Sequence, residues 1–297
     1  MVPLPDQSAT TPGGRGKLDP AALERALRRD VLVTHHLSPA RGRACGLTAG
    51  VEQAAAGDYA SVPSALSLTN VTEEGTVYTT AETAALAAIA HDNGLVVHLD
   101  GARFANAVCS ERHGEGQRPT AAELTWKAGV DVMSFGCTKN GGMNADLVIF
   151  FRQELIGDLR FRLKRSGHLP SKMRFLSAQV NALLLSGVWL RNAANANAMA
   201  AYLHSGLARL AAITSSRHLA PEPPDANEVF VEMEAATAEA MRERGHGFQA
   251  SPVDGREGLV RVRFVPAWCT EQGECDALLA SLEECLSLPP APYRPRL

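Results

Sequence analysis

His98-Leu-Asp100-Gly-Ala-Arg103-Phe-Ala-Asn106 and, further on, Asp131-Val-Met-Ser134-Phe-Gly-Cys-Thr138-Lys139-Asn-Gly141 decide how the rest of the chain is read. Leu95-Val-Val-His-Leu99 is a short apolar strand that delivers Asp100 to a turn at Gly101. Val130 to Phe135 is a second one, whose continuation carries Ser134, Thr138 and Lys139 into a glycine-rich loop. A carboxylate at the carboxyl edge of a sheet sits where open α/β folds bind ligands. A lysine in such a loop, once partly desolvated, has its pKa lowered, and its neutral amine can then form a Schiff base.

Outward from these strands the pattern is that of a βαβ repeat. Thr79-Thr-Ala-Glu82 is a capping box that predicts a helix through His91, closed by Gly94, with Ala85, Leu86 and Ile89 packed on the sheet. A helix around Glu123-Leu-Thr-Trp126 precedes the strand 130–135 in the same way. Ala65–Thr69 is an earlier buried strand, and Ala145–Phe151 a later one with β-branched and aromatic character. Asp100 and Lys139 therefore fall at the same edge of one sheet.

An acid facing a lysine across adjacent parallel strands is the pairing that pyridoxal phosphate (PLP) chemistry requires. The lysine holds the aldehyde, and the aspartate keeps the pyridine nitrogen protonated, through a charge-assisted hydrogen bond worth roughly 1.5–3 kcal/mol. On strand and spacing alone, a surface lysine in a turn and an ordinary strand-end aspartate account for the pattern at least as well.

Three runs add to this: His98 to Ala107, Ser134 to Gly141, and Leu66-Ser-Leu-Thr-Asn-Val-Thr-Glu-Glu-Gly-Thr-Val-Tyr78. In this order they resemble the low-specificity threonine aldolases, PLP enzymes of the aspartate-aminotransferase fold type. Ser171-Lys-Met-Arg174-Phe-Leu-Ser-Ala-Gln179 and Trp189-Leu-Arg-Asn-Ala193 resemble the same family, where this region links a large and a small domain. The resemblance implies an α/β, fold type I large-domain sheet, incomplete at the N-terminus, with a small C-terminal α+β domain. The expected division is 1–155, with a surface insertion at 31–60, and 156–297.

It also implies roles: Lys139 as the lysine bearing the cofactor, Asp100 as partner of the pyridine nitrogen, Arg103 on cofactor or substrate carboxylate, and Thr138 near the phosphate. Arg263 maps best to the arginine that takes the substrate carboxylate, and Arg174 to the same site or a neighbouring subunit's. The implied reaction is cleavage of threonine or allo-threonine to glycine and acetaldehyde, in a homo-oligomer. Relatives carry, before the matching part, an active-site arm, a Gly-Thr phosphate loop and a histidine that stacks on the ring. None of these is found here, so the expectation is weak PLP binding, little activity for this chain alone and a tendency to aggregate. A non-catalytic partner subunit of a full-length relative, or another PLP lyase or aminotransferase, stay open as alternatives.

Composition sets outer limits. A chain of 297 residues with 45% hydrophobic content can bury a sizeable core. Its net charge of −3 gives no electrostatic reason to expect nucleic acid or an anionic membrane as partner. Six cysteines, at 45, 109, 137, 269, 275 and 285, form no Cys-x-x-Cys pair and read as reduced thiols. With no signal-peptide pattern and no apolar run of spanning length, the expected compartment is the cytoplasm.

The remaining segments read simply. Met1 to Lys17 is an irregular leading segment, and Asp19-Pro20 opens a helix with Leu23 and Leu27 on one face. His35-His36 lacks acidic or cysteine partners nearby, which argues against a metal site. The basic run 160–165 reads as a solvated face. From Lys172 to Thr214 the pattern predicts two helices with a bend near Gly187, and Pro221–Pro224 an internal loop. Strands 228–233 and 259–265 and helices 235–244 and 270–286 complete the small domain, with Arg261 and Arg263 on one face of the last strand, which by pattern alone reads equally as an invitation to a carboxylate or as an ordinary exposed sheet face.

Overall fold

A computed structural model describes residues 16–33, 63–114, 118–214 and 218–287. The leading segment up to residue 15, His35-His36 and all but the first three residues of the expected insertion lie outside them. Those three residues end helix α1 (Pro20–Val33), whose Asp19 cap accepts from the Ala21 and Ala22 amides at 3.3 and 3.2 Å.

The first sheet has the order β1 (Ala65–Thr69), β2 (Val96–Gly101), β3 (Val132–Gly136), β4 (Asp146–Phe150). The first three strands are parallel, and β4 closes the edge antiparallel to β3. Register places Asp100 between Thr69 and Ser134. Leu66, Leu68, Val97, Leu99, Met133 and Phe135 fill the buried face, the period of two that the sequence shows.

Helix α2 (Thr80–Asp92) lies on that face. Its capping box forms as expected: the Glu82 amide donates to Thr79 Oγ1 at 3.2 Å, and the Thr79 amide to Glu82 Oε2 at 2.8 Å. The buried stripe is Thr83, Leu86, Ala87 and Ala90, a helical i, i+3, i+4, i+7 set, and the expected Ala85 points outward. The helix expected around Glu123 does not form. Thr120 and Glu123 cap a single turn, a 3-10 turn Trp126–Ala128 follows, and Gly129 at φ 92° ends it before a second α-turn can close.

Asp131 fixes where β3 starts. Its buried Oδ2 accepts from the Val97 amide at 2.7 Å and sits 2.9 Å from His91 Nε2, tying β2, β3 and the end of α2 together. Asp131→Ala orphans the Val97 amide, so the expected cost is about 1–3 kcal/mol. Urea denaturation checks this, with Asp131→Asn, which keeps an acceptor, expected to lose less.

After α3 (Phe104–Val108) and α4 (Leu159–Arg165), helices α5 (Arg174–Leu185) and α6 (Val188–Ile213) meet at Gly187, which takes φ 69° at the expected bend. Helix α6 begins against the first core, through Val188, Trp189 and Leu190, and ends in a second one, through Ala200, Leu203, Leu207 and Leu210. That second core lies under an antiparallel sheet of order β5 (Leu219–Pro221), β6 (Val229–Glu234), β8 (Leu259–Phe264), β7 (Gln249–Pro252). Helices α7 (Ala235–Glu243) and α8 (Gln272–Ser287) pack on it. The edge strands β5 and β7 escaped the sequence reading because they are short, and each ends on a proline. Among the described residues no helix is long and apolar enough to cross a membrane.

Candidate active site

Asp100 is the penultimate residue of β2. Its Oδ1 accepts from the Ala102 amide at 2.9 Å, which fixes the carboxylate at the strand end. Oδ2 takes no hydrogen bond among the described residues. Two residues earlier, on the same face, His98 is braced between Ser67 Oγ (2.8 Å to Nδ1) and Ser134 Oγ (3.0 Å to Nε2). Burial holds the His98 imidazole below its ordinary pKa, against the pull of Asp100.

Strand β3 runs through Cys137 into a 3-10 turn, Thr138–Asn140, that carries Lys139. Asn140 pins this turn to α6: its Nδ2 donates to the Trp189 carbonyl at 2.8 Å, and its own carbonyl accepts from Asn192 Nδ2 at 2.9 Å. Gly141 at φ 99° closes the turn, and a Cβ there would meet Asn192 Nδ2 at 2.9 Å. Thr138 and Lys139 are exposed at this turn. The Lys139 amine has no ion pair among the described residues.

Arg103 follows β2 and reaches Glu228 with Nη2 at 3.2 Å from Oε1. Arg263, on β8, donates from Nη1 to the same oxygen at 3.3 Å. The side chains of Arg103, Arg263 and Glu228 are 10%, 21% and 0% exposed, so the two sheets share a largely buried Arg–Glu–Arg cluster. Burial pushes the Glu228 carboxyl above the usual range, against the opposing pull of Arg103, Arg263 and Lys139, while Glu73 adds to the rise. Gly75, at φ 73°, lets its loop approach this point, since a Cβ there would lie 3.2 Å from Glu228 Cβ and from the Phe230 ring.

The structure thus brings Arg103 and Arg263 together and places Asp100 and Lys139 at the ends of adjacent parallel strands. It does not bring Arg174 to them: at the start of α5 its guanidinium lies over the Phe175 ring, 4.9 Å from the centroid. Nor is Arg261 left for a ligand. It grips Glu222 at 2.7 and 3.1 Å, bonds Glu74 and covers Phe230 at 4.0 Å. Glu228 was missed by the sequence reading, and the signal available was a lone acid at the head of the apolar run Val229-Phe-Val231.

Arg263 and Arg261 line a cavity of about 500 Å³ with Glu74, Phe230, Arg242, Phe248 and Gln249. Asp100, Arg103, Thr138 and Lys139 are not among its lining residues.

The low-specificity L-threonine aldolase of Pseudomonas sp. (strain NCIMB 10558) is 39% identical over 225 residues, 76% of this chain and 60% of the relative. The chain thus spans about three fifths of that relative's length. The solved threonine aldolase of Leishmania major superposes with a TM-score of 0.72 at 26% identity, over 92% of this chain and 68% of that one. Oryza sativa TDC, solved with PLP and tryptamine, shares the fold alone, with a TM-score of 0.59 at 15% identity over 91% of this chain and 52% of that one. The fold is the expected α/β fold type I. The family model described as beta-eliminating lyase matches residues 44–236, which include the strand ends bearing Asp100 and Lys139 and the loop bearing Glu228, and the chain belongs to that family.

Proposed function

We propose that this chain is a PLP-dependent lyase of the threonine aldolase type, cleaving L-threonine or L-allo-threonine to glycine and acetaldehyde. The observation that carries the reading is the pair Asp100 and Lys139 at the carboxyl ends of β2 and β3, one with an unshared carboxylate oxygen and the other with an unpaired amine among the described residues. This donor set fits PLP: an acid for the ring nitrogen, an amine for the aldehyde, and the Thr138 hydroxyl beside the amine for the phosphate. When bound, the cofactor supplies a sink for the electron pair left on Cα as the Cα–Cβ bond breaks.

The chain's own residues do the rest. Asp100 holds the proton on the ring nitrogen, and the Ala102 amide keeps its carboxylate oriented. Arg263, assisted by Arg103, binds and orients the substrate carboxylate. The β-hydroxyl proton leaves as the carbonyl of acetaldehyde forms, and Cα gains a proton to become glycine. Product analysis after incubating the chain with PLP and L-threonine tests the reading: glycine with acetaldehyde supports it, while pyruvate with ammonia, or a transferred amine, points to another PLP enzyme.

The exposure of Lys139 favours a second reading, a partner subunit that completes its site with a longer relative. We also propose a homo-oligomer, because Met143, Phe161, Phe175 and Leu185 are exposed apolar side chains on one stretch of chain. Sedimentation velocity is expected to show a dimer or larger species, and Phe161→Asp with Phe175→Asp to shift it toward monomer. Five free cysteines among the described residues, four of them buried, support a reducing compartment such as the cytoplasm.

A further inference from the structure

Glu228 has two oxygens and uses one. Oε1 serves both Arg103 and Arg263, while Oε2 has no hydrogen-bond partner among the described residues, and neither does Arg263 Nε, although both atoms are buried. Buried polar atoms are paired as a rule, so an unpaired acceptor beside an unpaired donor marks a cluster that is incomplete without a ligand. Two guanidiniums against one carboxylate also leave a surplus positive charge out of water, which calls for an anion. The charged groups that face Glu228 are Arg103 from the turn after β2, Arg263 from β8, Glu73 from the loop after β1, and Lys139 from the turn after β3. Glu73 is largely exposed and lies 3.7 Å from Arg263, so it balances that charge poorly.

We propose that Glu228 is a positioning residue for an amino-acid carboxylate: it holds Arg103 and Arg263 side by side through one oxygen, and takes up a proton when the incoming carboxylate claims the pair. The inference rests on the reading that Arg263 receives the substrate carboxylate. Two carboxylates on one arginine pair repel, so arrival of the second favours the protonated form of the first. Burial already lifts Glu228 above the usual carboxylate range, which puts that proton within reach.

The sign follows from linkage. The bound state holds the proton more tightly than the free state, so affinity is greatest below the titration of free Glu228. It falls as pH rises through that titration, by up to about tenfold per pH unit for one linked proton.

Glycine binding to the full chain, with PLP present, tests this by calorimetry over a pH series in buffers of different protonation heat. Wild type is expected to take up about one proton more per glycine than Glu228→Gln. Affinity in wild type and in Glu228→Asp is expected to fall with pH relative to Glu228→Gln, which keeps only the dependence set by the proton that glycine's own ammonium loses on binding. Equal proton uptake in wild type and Glu228→Gln, or no glycine binding by wild type, overturns the proposal. Should Glu228→Gln fail to fold, the carbon-13 carboxyl resonance of Glu228 in wild type decides. It must titrate at higher pH with glycine than without, and an unmoved resonance counts against the proposal. A chain that binds glycine with the linked proton but cleaves no threonine keeps the role of Glu228 and removes the lyase reading. Threonine cleavage with one pH profile for wild type and Glu228→Gln does the reverse.

Discussion

Lys139→Ala is expected to abolish the lysine-linked visible absorbance that wild type develops with PLP, and to lower threonine cleavage by roughly 10⁴-fold or more. The size follows from the residue's place. Lys139 is the amine carried by the turn at the end of β3, it has no competing ion pair among the described residues, and alanine leaves nothing there to hold an aldehyde carbon. The turn itself should survive, because it is pinned by Asn140 and Asn192 rather than by the lysine. A spectrum with added PLP, beside a denaturation curve, checks both halves. An alanine variant that keeps the absorbance would place the reactive amine elsewhere.

Asp100→Asn is expected to cost roughly 10²–10³-fold in kcat, the size lost when one preorganised charge-stabilising contact is removed. Asparagine preserves shape and still accepts from the Ala102 amide, but it has no negative charge with which to keep a ring nitrogen protonated. The effect should fall on kcat more than on KM, since the charge matters most when electron density moves toward the ring. Steady-state kinetics on threonine separates the two, and a change confined to KM would assign Asp100 to binding alone.

Much of the fold was legible because its signals are local. The Thr79–Glu82 capping box, the Asp19-Pro20 start, the bend near Gly187 and the short strand that delivers Asp100 each depend on neighbours within a few residues, and each was found where expected. The Glu123 helix misled for the same reason: Thr120 and Glu123 make a good start, and the stop at Gly129 arrives too soon for an α-helix. Of the candidate site, the placement of Asp100 and Lys139 at strand ends could be read from the pattern, while the roles given to them came from the resemblance alone. The pattern by itself could not tell the two arginines of β8 apart, and only the resemblance pointed to Arg263, because the alternation that puts Arg261 and Arg263 on one face says nothing of which meets an acid from afar. Glu222 and Glu74 claim the first, Glu228 the second. Arg103 and Glu228 meet only because the loop before β6 folds back on the first sheet, where Asp225 Oδ2 accepts from the Val77 amide at 3.1 Å and its carbonyl from Ser110 Oγ at 2.5 Å. No pattern along the chain announces such a meeting.

Helix α6 has a mechanical consequence. At 26 residues it is a rod of about 39 Å. Near one end it grips the Lys139 turn through Asn192, and its other end is embedded beneath the β5–β8 sheet that bears Arg263. A single stiff element therefore ties the Lys139 turn to the sheet that bears Arg263, so a shift of one is transmitted along its length to the other.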